Sequence, residues 1–360
     1  MRMLARRVSV AFVAALAVLA LPSPGVAQSS PQSVRCYVAW DGILEVNVGS
    51  QFGYTDSAIR AALDLAKRDG CRVWFQAGTY SYSATLPIAG LKVWGAGDSA
   101  LLVATNKPRM AFVLSGASPE LRGIKIHCPS CELPSGPPTA ARLGTGASAA
   151  VFIQPGTSGF VVENVSIERA GSAGILNWGG HDGRITGNRI RDTLADGIHL
   201  TNGAFNVDVG GNTVANSGDD FFAVVSYGSD PSPSHDITIH DNVGIGQPWG
   251  RGIYLSGYRL KVLRNDIRET YRAAILMESG GYWNTYGAQD VEIAGNLLRL
   301  PDRSDTHYAN VLIVAGSNDP AHRMSNIFGF GNNLDCSTGK LIRVIGTNVS
   351  GITVSGFCGS

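Results

Sequence analysis

Short apolar stretches of three to five residues recur along most of the chain, bounded by Gly, Asn or Asp. That pattern predicts many short strands joined by tight turns, because those three residues supply the turn conformations that strand residues avoid. One segment departs from it. Thr55-Asp56 can cap a helix whose apolar face is Ala58, Ile59, Ala62, Leu63 and Ala66 and which ends at Asp69-Gly70. Beyond it, Cys71 to Tyr80 reads as a strand and turn, and Leu91 to Gly97 as another strand.

The asparagines keep time. Asn164, Asn188, Asn212, Asn242, Asn265 and Asn296 are spaced 24, 24, 30, 23 and 31 residues apart. Periods of this size predict a solenoid, with loop insertions in the longer intervals. Each coil has room for three short strands, and equivalent residues of successive coils stack at ~4.8 Å. Asparagines at a fixed turn then form a hydrogen-bonded ladder that satisfies the turn backbone. A β-propeller, with blades of about 40 residues or more, needs a longer period. The expected fold is all-β, a right-handed parallel β-helix with an N-terminal capping α-helix over its open end.

The same periodicity aligns side chains. Ala173, Asp196, Asp220, Arg251 and Ala273 each precede an equivalent strand and form one column; three residues on stand Leu176, His199, Ala223, Tyr254 and Leu276. Carboxylates on adjacent rungs lie roughly 5 Å apart and cannot all ionise freely. A protonated acid beside an ionised base is what glycosidic cleavage requires. A lone aspartate there would read as a turn residue bonded to backbone. Asp219 adjoins Asp220 and, by strand alternation, is expected to point elsewhere. His199 and Tyr254 flank the carboxylates. His199 is read as a ligand for substrate hydroxyls, as a modulator of an aspartate, or as a plain surface histidine. Arg251 is read as a ligand for a substrate carboxylate or as the partner of Asp220. Trp178, Trp249, Tyr258, Tyr282 and Trp283 are placed in loops of these coils, where they stack on sugars or simply pack.

Composition settles what surrounds this column. The 360 residues carry a formal net charge of +1 and only 16% charged side chains, which argues against a nucleic-acid partner. Arg2, Arg6 and Arg7, an uncharged run from Val8 to Leu21, and Gly25-Val26-Ala27 compose a signal peptide over 1–27. The expected organisation is then a cap region at 28–85 and the β-helix at 86–360, exported, monomeric and free of the membrane after cleavage. In an oxidising compartment the six cysteines are expected to pair; sequence leaves about 15 connectivities open, and proximity suggests Cys36–Cys71, Cys128–Cys131 and Cys336–Cys358. The Cys128-Pro-Ser-Cys131 segment is read as a disulfide, since no second close Cys or His pair accompanies it to hold zinc.

Two stretches carry a resemblance. The helix followed by Val73 to Tyr80 and Gly95-Ala-Gly97 resembles the N-terminal cap of the pectate-lyase-like superfamily. Ala195 to Asn202 and Asn216 to Ala223 resemble the catalytic strands of β-helical glycoside hydrolases: polygalacturonases, dextranases, and above all bacterial α-1,3-glucanases and mycodextranases. The resemblance implies inversion of configuration, with Asp219 as general acid and Asp196 and Asp220 holding and deprotonating the water. It places Asp219 across the turn from the stacked pair. Where polygalacturonases have Gly-His-Gly, this chain has Gly250-Arg-Gly252, and Arg259-Leu-Lys261 follows too soon to serve as their uronate-binding pair. A neutral α-glucan is therefore favoured over galacturonan as the polysaccharide partner. His199, Arg251, Tyr254 and Trp178 are the candidate substrate-binding residues. No metal or cofactor is assigned to that hydrolase. Two alternatives stand beside it: a Ca²⁺-dependent polysaccharide lyase with Arg251 as base, and a non-catalytic carbohydrate-binding or surface β-helix.

Overall fold

Strands pair in parallel with their equivalents one coil away, so that each turn of chain adds one rung to every face. The structure is a computed structural model and describes residues 34–106, 110–132, 148–246, 250–299, 309–336 and 341–358. The signal peptide expected at 1–27 and Trp249 lie outside the described residues. Arg35–Ser360 form one compact unit, and of the second unit, Met1–Val34, only Val34 is described.

One face is a ten-stranded parallel sheet: β1 (Leu86–Ala89), β2 (Phe112–Ser115), β3 (Val151–Ile153), β4 (Ile175–Trp178) and β5 (Ile198–Thr201), then β6 (Phe222–Val224), β7 (Ile253–Leu255), β8 (Ile275–Ser279), β9 (Val311–Ala315) and β10 (Ile342–Ile345). The other strands of each coil, such as His181–Thr186 and Arg189–Thr193, build a second sheet of 20 strands that bends round the remaining two faces. This is the expected right-handed parallel β-helix. Along the first face the inward column Ile175, Ile198, Phe222, Ile253, Ile275 and Val311 is buried, aliphatic but for Phe222. Burying that aliphatic stack is the main favourable contribution to folding.

At the N-terminal end the helix Asp56–Asp69 starts on a Thr55 cap and stops at Gly70, whose φ of 70° suits glycine. It buries the anticipated apolar face, together with Leu65, against the first coil. Bonds join Cys36 to Cys71, Cys128 to Cys131 and Cys336 to Cys358, as expected.

The asparagine ladder corrects the sequence reading at both ends. Asn188, Asn212, Asn242, Asn265, Asn296 and Asn332 are buried, and each Oδ1 accepts the backbone N–H of the rung before it, from Val165 through Asn296. Each Nδ2 in turn donates to the carbonyl three residues before the preceding rung, as Asn242 does to Val209 at 2.9 Å. Asn164 is not a rung. It is exposed with φ 53°, in the column of Gly187, Gly211 and Gly295, and Val165 occupies its supposed place. The left-handed residue just before each ladder position makes the corner; asparagine tolerates that conformation, so its spacing imitates a rung.

Replacing Asn242 by Ala removes the side-chain acceptor of the Asn212 amide and a side-chain donor to the Val209 carbonyl. We expect a loss of about 2–4 kcal/mol in denaturant unfolding. A loss below about 1 kcal/mol would mean that water substitutes freely for the ladder.

Candidate functional site

The sheet β1–β10 carries the aspartate column in the register read from the sequence. Ile198 pairs with Phe222 and Phe222 with Ile253, which sets Asp196, Asp220 and Arg251 on consecutive rungs at the point where the chain enters β5, β6 and β7. The glycines that follow are sterically required. A Cβ on Gly197 would stand 2.4 Å from Val214 Cγ1, and one on Gly252 2.2 Å from Ile267 Cγ2. The entering backbone thus lies directly on the aliphatic core, and the preceding side chain is turned outward.

Each column carboxylate grips the next coil. Asp196 Oδ1 accepts from the Asp220 amide at 2.9 Å, and Asp220 Oδ1 from the Arg251 amide at 2.8 Å. The turn-bonding role and the cleft-facing role therefore coexist in the same side chains. On its other oxygen Asp196 meets His199 Nδ1 at 2.6 Å. Asp219 differs. Among the described residues its carboxyl has one hydrogen-bond partner, Arg251 Nη1 at 3.4 Å, and the same nitrogen lies 3.4 Å from Asp220. Strand alternation had placed Asp219 away from Asp220. Instead, oxygens of Asp196, Asp219 and Asp220 all lie within 4.8 Å of one another. The reason is local: residues 216–221 form a bend, not extended strand, so neighbouring side chains need not diverge. Gly250 packs against this bend, where any Cβ would fall 2.4 Å from the Asp219 carbonyl carbon.

The surroundings separate the acids. Burial lifts the Asp219 carboxyl well above the usual aspartate range, the charges of Asp220 and Asp196 lift it further, and Arg251 and Arg272 pull against them. Burial raises Asp220 to about 6, with Arg251 opposing and Asp196 reinforcing the rise. A proton donor and a proton acceptor can thus share one site near neutral pH.

These groups floor a cleft of about 220 Å³ that also includes His199, Trp178, Tyr227, Tyr254, Trp283 and Thr285. The sequence-derived substrate residues His199, Arg251, Tyr254 and Trp178 are all here. Arg251 is engaged with both acids and lies over the Tyr254 ring at 5.4 Å. Tyr254 is buried, its hydroxyl 3.2 Å from Thr285 Oγ1. Trp178 ends β4 and is not a loop residue. Tyr258 does not join the site. It belongs to the strand Gly257–Leu263 on another face, stacked on His235. Tyr282 is exposed outside the cleft lining.

Tyr227 and Thr285 were missed. They come from the two insertions that lengthen the asparagine spacing to 30 and 31 residues. Those loops find each other: Gly228 N–H donates to Asn284 at 2.8 Å, Tyr286 N–H to Ser226 at 2.9 Å, and the Tyr227 and Trp283 rings meet edge to face. Asp230 holds the first loop by accepting from the amides of Tyr227 and Asn202. The uneven period carried the signal that something is inserted, but nothing about where it folds.

The protein family described as right handed beta helix region matches residues 103–243. No curated protein sequence matches the chain. Among solved structures, the chain is similar to the catalytic domain of a GH87 alpha-1,3-glucanase variant in complex with tetrasaccharides, with 18% identity, TM-score 0.68, and 89% of this chain and 59% of that one covered. A GH87 alpha-1,3-glucanase catalytic unit from Streptomyces thermodiastaticus strain HF3-3 gives 18% identity, TM-score 0.53 and coverages of 87% and 70%. The A-module of the Azotobacter vinelandii mannuronan C-5 epimerase AlgE6 gives 16%, 0.53, and 86% and 89%. At these identities the likeness is one of fold. Against three further GH87 catalytic-domain structures, the chain spans only 53 to 60% of their length.

The raised acids also set a pH dependence of stability. Below pH ~4 both folded and unfolded chains carry these protons. Between pH ~4 and about 6 the unfolded chain releases them while the folded chain still holds them, so stability is lost as pH rises through that window. Asp219→Asn removes this penalty. It should raise the melting temperature at pH 7 by about 2 °C or more and leave it nearly unchanged at pH 4. Equal shifts at the two pH values would show that the carboxyl is not held protonated.

Proposed function

We propose that the chain is an exported polysaccharide-active glycoside hydrolase that works with inversion of configuration on a neutral α-glucan. The observation that carries this reading is the meeting of three carboxyls within 4.8 Å in one cleft, where burial pushes one well above the usual aspartate range and another up to about 6. The three disulfides support export to an oxidising compartment.

In this reading Asp219 delivers its proton to the glycosidic oxygen as the bond to the anomeric carbon breaks. Asp220 and Asp196 hold a water on the opposite face of the sugar, and Asp220 takes its proton as the oxygen attacks. His199, bonded to Asp196, fixes that carboxylate's orientation. Arg251, shared between Asp219 and Asp220, restrains the pair and keeps the second acid ionisable. A separation this short would by itself suit direct attack of a carboxylate on the sugar. The third carboxyl is what supports a water-mediated route from so tight a cluster.

The lyase reading draws on the same oxygens, since three carboxylates this close are the donor set a hard cation such as Ca²⁺ takes. Arg251 weighs against it, because its guanidinium already stands where the cation's charge would be needed.

Asp219→Asn and Asp220→Asn should each lower hydrolysis of an α-glucan at least a hundredfold while the chain stays folded. Near-parental turnover in either would overturn the assignment of roles. In the unaltered chain, kcat/KM should rise as pH passes about 6, where Asp220 ionises, and fall at higher pH as Asp219 loses its proton. Reducing-end assays with and without chelator, alongside anomer analysis by NMR, discriminate the rivals. The hydrolase releases inverted reducing sugar unaffected by chelator. An unsaturated, ultraviolet-absorbing product that chelator abolishes would establish the lyase instead.

A further inference from the structure

Two tryptophans in the cleft are left open to solvent on rigid supports. Trp178 is 37% exposed and Trp283 55%, and both line the cavity that holds the three aspartates. Indole rings are normally covered by packing, and burying one is strongly favourable. Trp40, more exposed still, stands outside this cavity and carries no such meaning.

The supports are built. Asn177, buried beside Trp178, accepts from Gly180 N–H at 2.7 Å and donates to Gly180 O at 3.1 Å, closing the turn after β4. That turn has no slack, since a Cβ on Gly180 would lie 2.5 Å from Ile153 Cγ2. Trp283 sits in the loop closed by Gly280 and Thr285, whose amides exchange hydrogen bonds at 2.7 and 3.1 Å, and its ring is braced by Tyr227.

Their position gives a direction. Trp178 follows the Ala173–Asp196 column by five residues of nearly extended chain, roughly 16 Å along the sheet. Tyr227, against which Trp283 packs, likewise lies beyond the far end of β6.

We propose that Trp178 and Trp283 form an aromatic subsite for the apolar faces of pyranose rings, and that the glycan is held along the strands, with its cleavage point at the carboxyls and its anchored end at the tryptophans. This rests on the hydrolase reading and adds to it the direction and length of the bound chain. Both rings offer a flat apolar surface and an N–H to a sugar, and fixed loops remove most of the ordering cost.

The test uses the full chain with soluble α-1,3- and α-1,4-linked gluco-oligosaccharides of two to six units. Trp178→Ala and Trp283→Ala should each raise KM for the longest oligosaccharides roughly tenfold, equivalent to about 1.4 kcal/mol, with kcat and the handling of disaccharide changed less than twofold. Trp→Phe should restore part of the loss. In the Asp219→Asn chain, titration with the longest oligosaccharide should quench tryptophan fluorescence, and the quench should shrink in the double variant lacking both indoles. If the tryptophan variants keep parental KM on every length while Asp219→Asn abolishes cleavage, the subsite is wrong and the hydrolase stands. If the unaltered chain neither binds nor cleaves any of these sugars, both fall for neutral glucans.

Discussion

Backbone hydrogen bonding between successive coils holds equivalent residues one strand spacing apart, and the column of acids at the candidate site follows from that constraint. Asp196, Asp220 and Arg251 are 24 and 31 positions apart in the chain, yet stand on adjacent rungs because Ile198, Phe222 and Ile253 pair in parallel beneath them. A coil that slipped by one residue would turn the column inward and face the aliphatic stack with carboxylates. The apolar interior therefore fixes the position of the acids without touching them. The asparagine ladder reinforces the same registration at a different corner, since each rung's amide is spoken for by the side chain of the next.

The site is assembled at a cost to stability. Three acids in one cleft, two of them pushed upward in pKa, oppose folding near neutral pH. What offsets this is partly the site itself: the carboxylates of Asp196 and Asp220 satisfy amides of the coil that follows, and Arg251 supplies a counter-charge. Of the three, Asp219 is the one with no hydrogen bond to backbone among the described residues, and burial and its neighbours' charges raise it well above the usual aspartate range. A group with few fixed partners and a retained proton is suited to giving that proton away. Tyr254 closes the arrangement from the side, covering the arginine with its ring and reaching Thr285 with its hydroxyl.

Much of the site was legible because a parallel β-helix turns sequence distance into spatial adjacency by a fixed rule. Once the period was found, the columns containing Asp196, Asp220 and Arg251, and His199 and Tyr254, could be written out, and the structure keeps their register. Errors came where the rule lapses. Asn164 was taken for a rung because a left-handed corner residue and a ladder residue share a spacing and a side chain. Asp219 was turned away because alternation was applied to a bend. Tyr258 was taken for a loop residue although it begins a strand on another face.

By itself the sequence determined the coil period, the capping helix and the stacking of acids, since each depends on local propensity or on the repeat; the disulfide partners it only suggested. The tertiary structure alone decided that Asp219 converges with its neighbours, that His199 bonds Asp196, and that two insertions some sixty residues apart meet to bring Tyr227 and Trp283 over the acids. The physical reason is the difference between a ladder and a loop. A ladder's geometry repeats and can be extrapolated from any rung, whereas a loop's path is set by whichever non-repeating contacts its own few residues find.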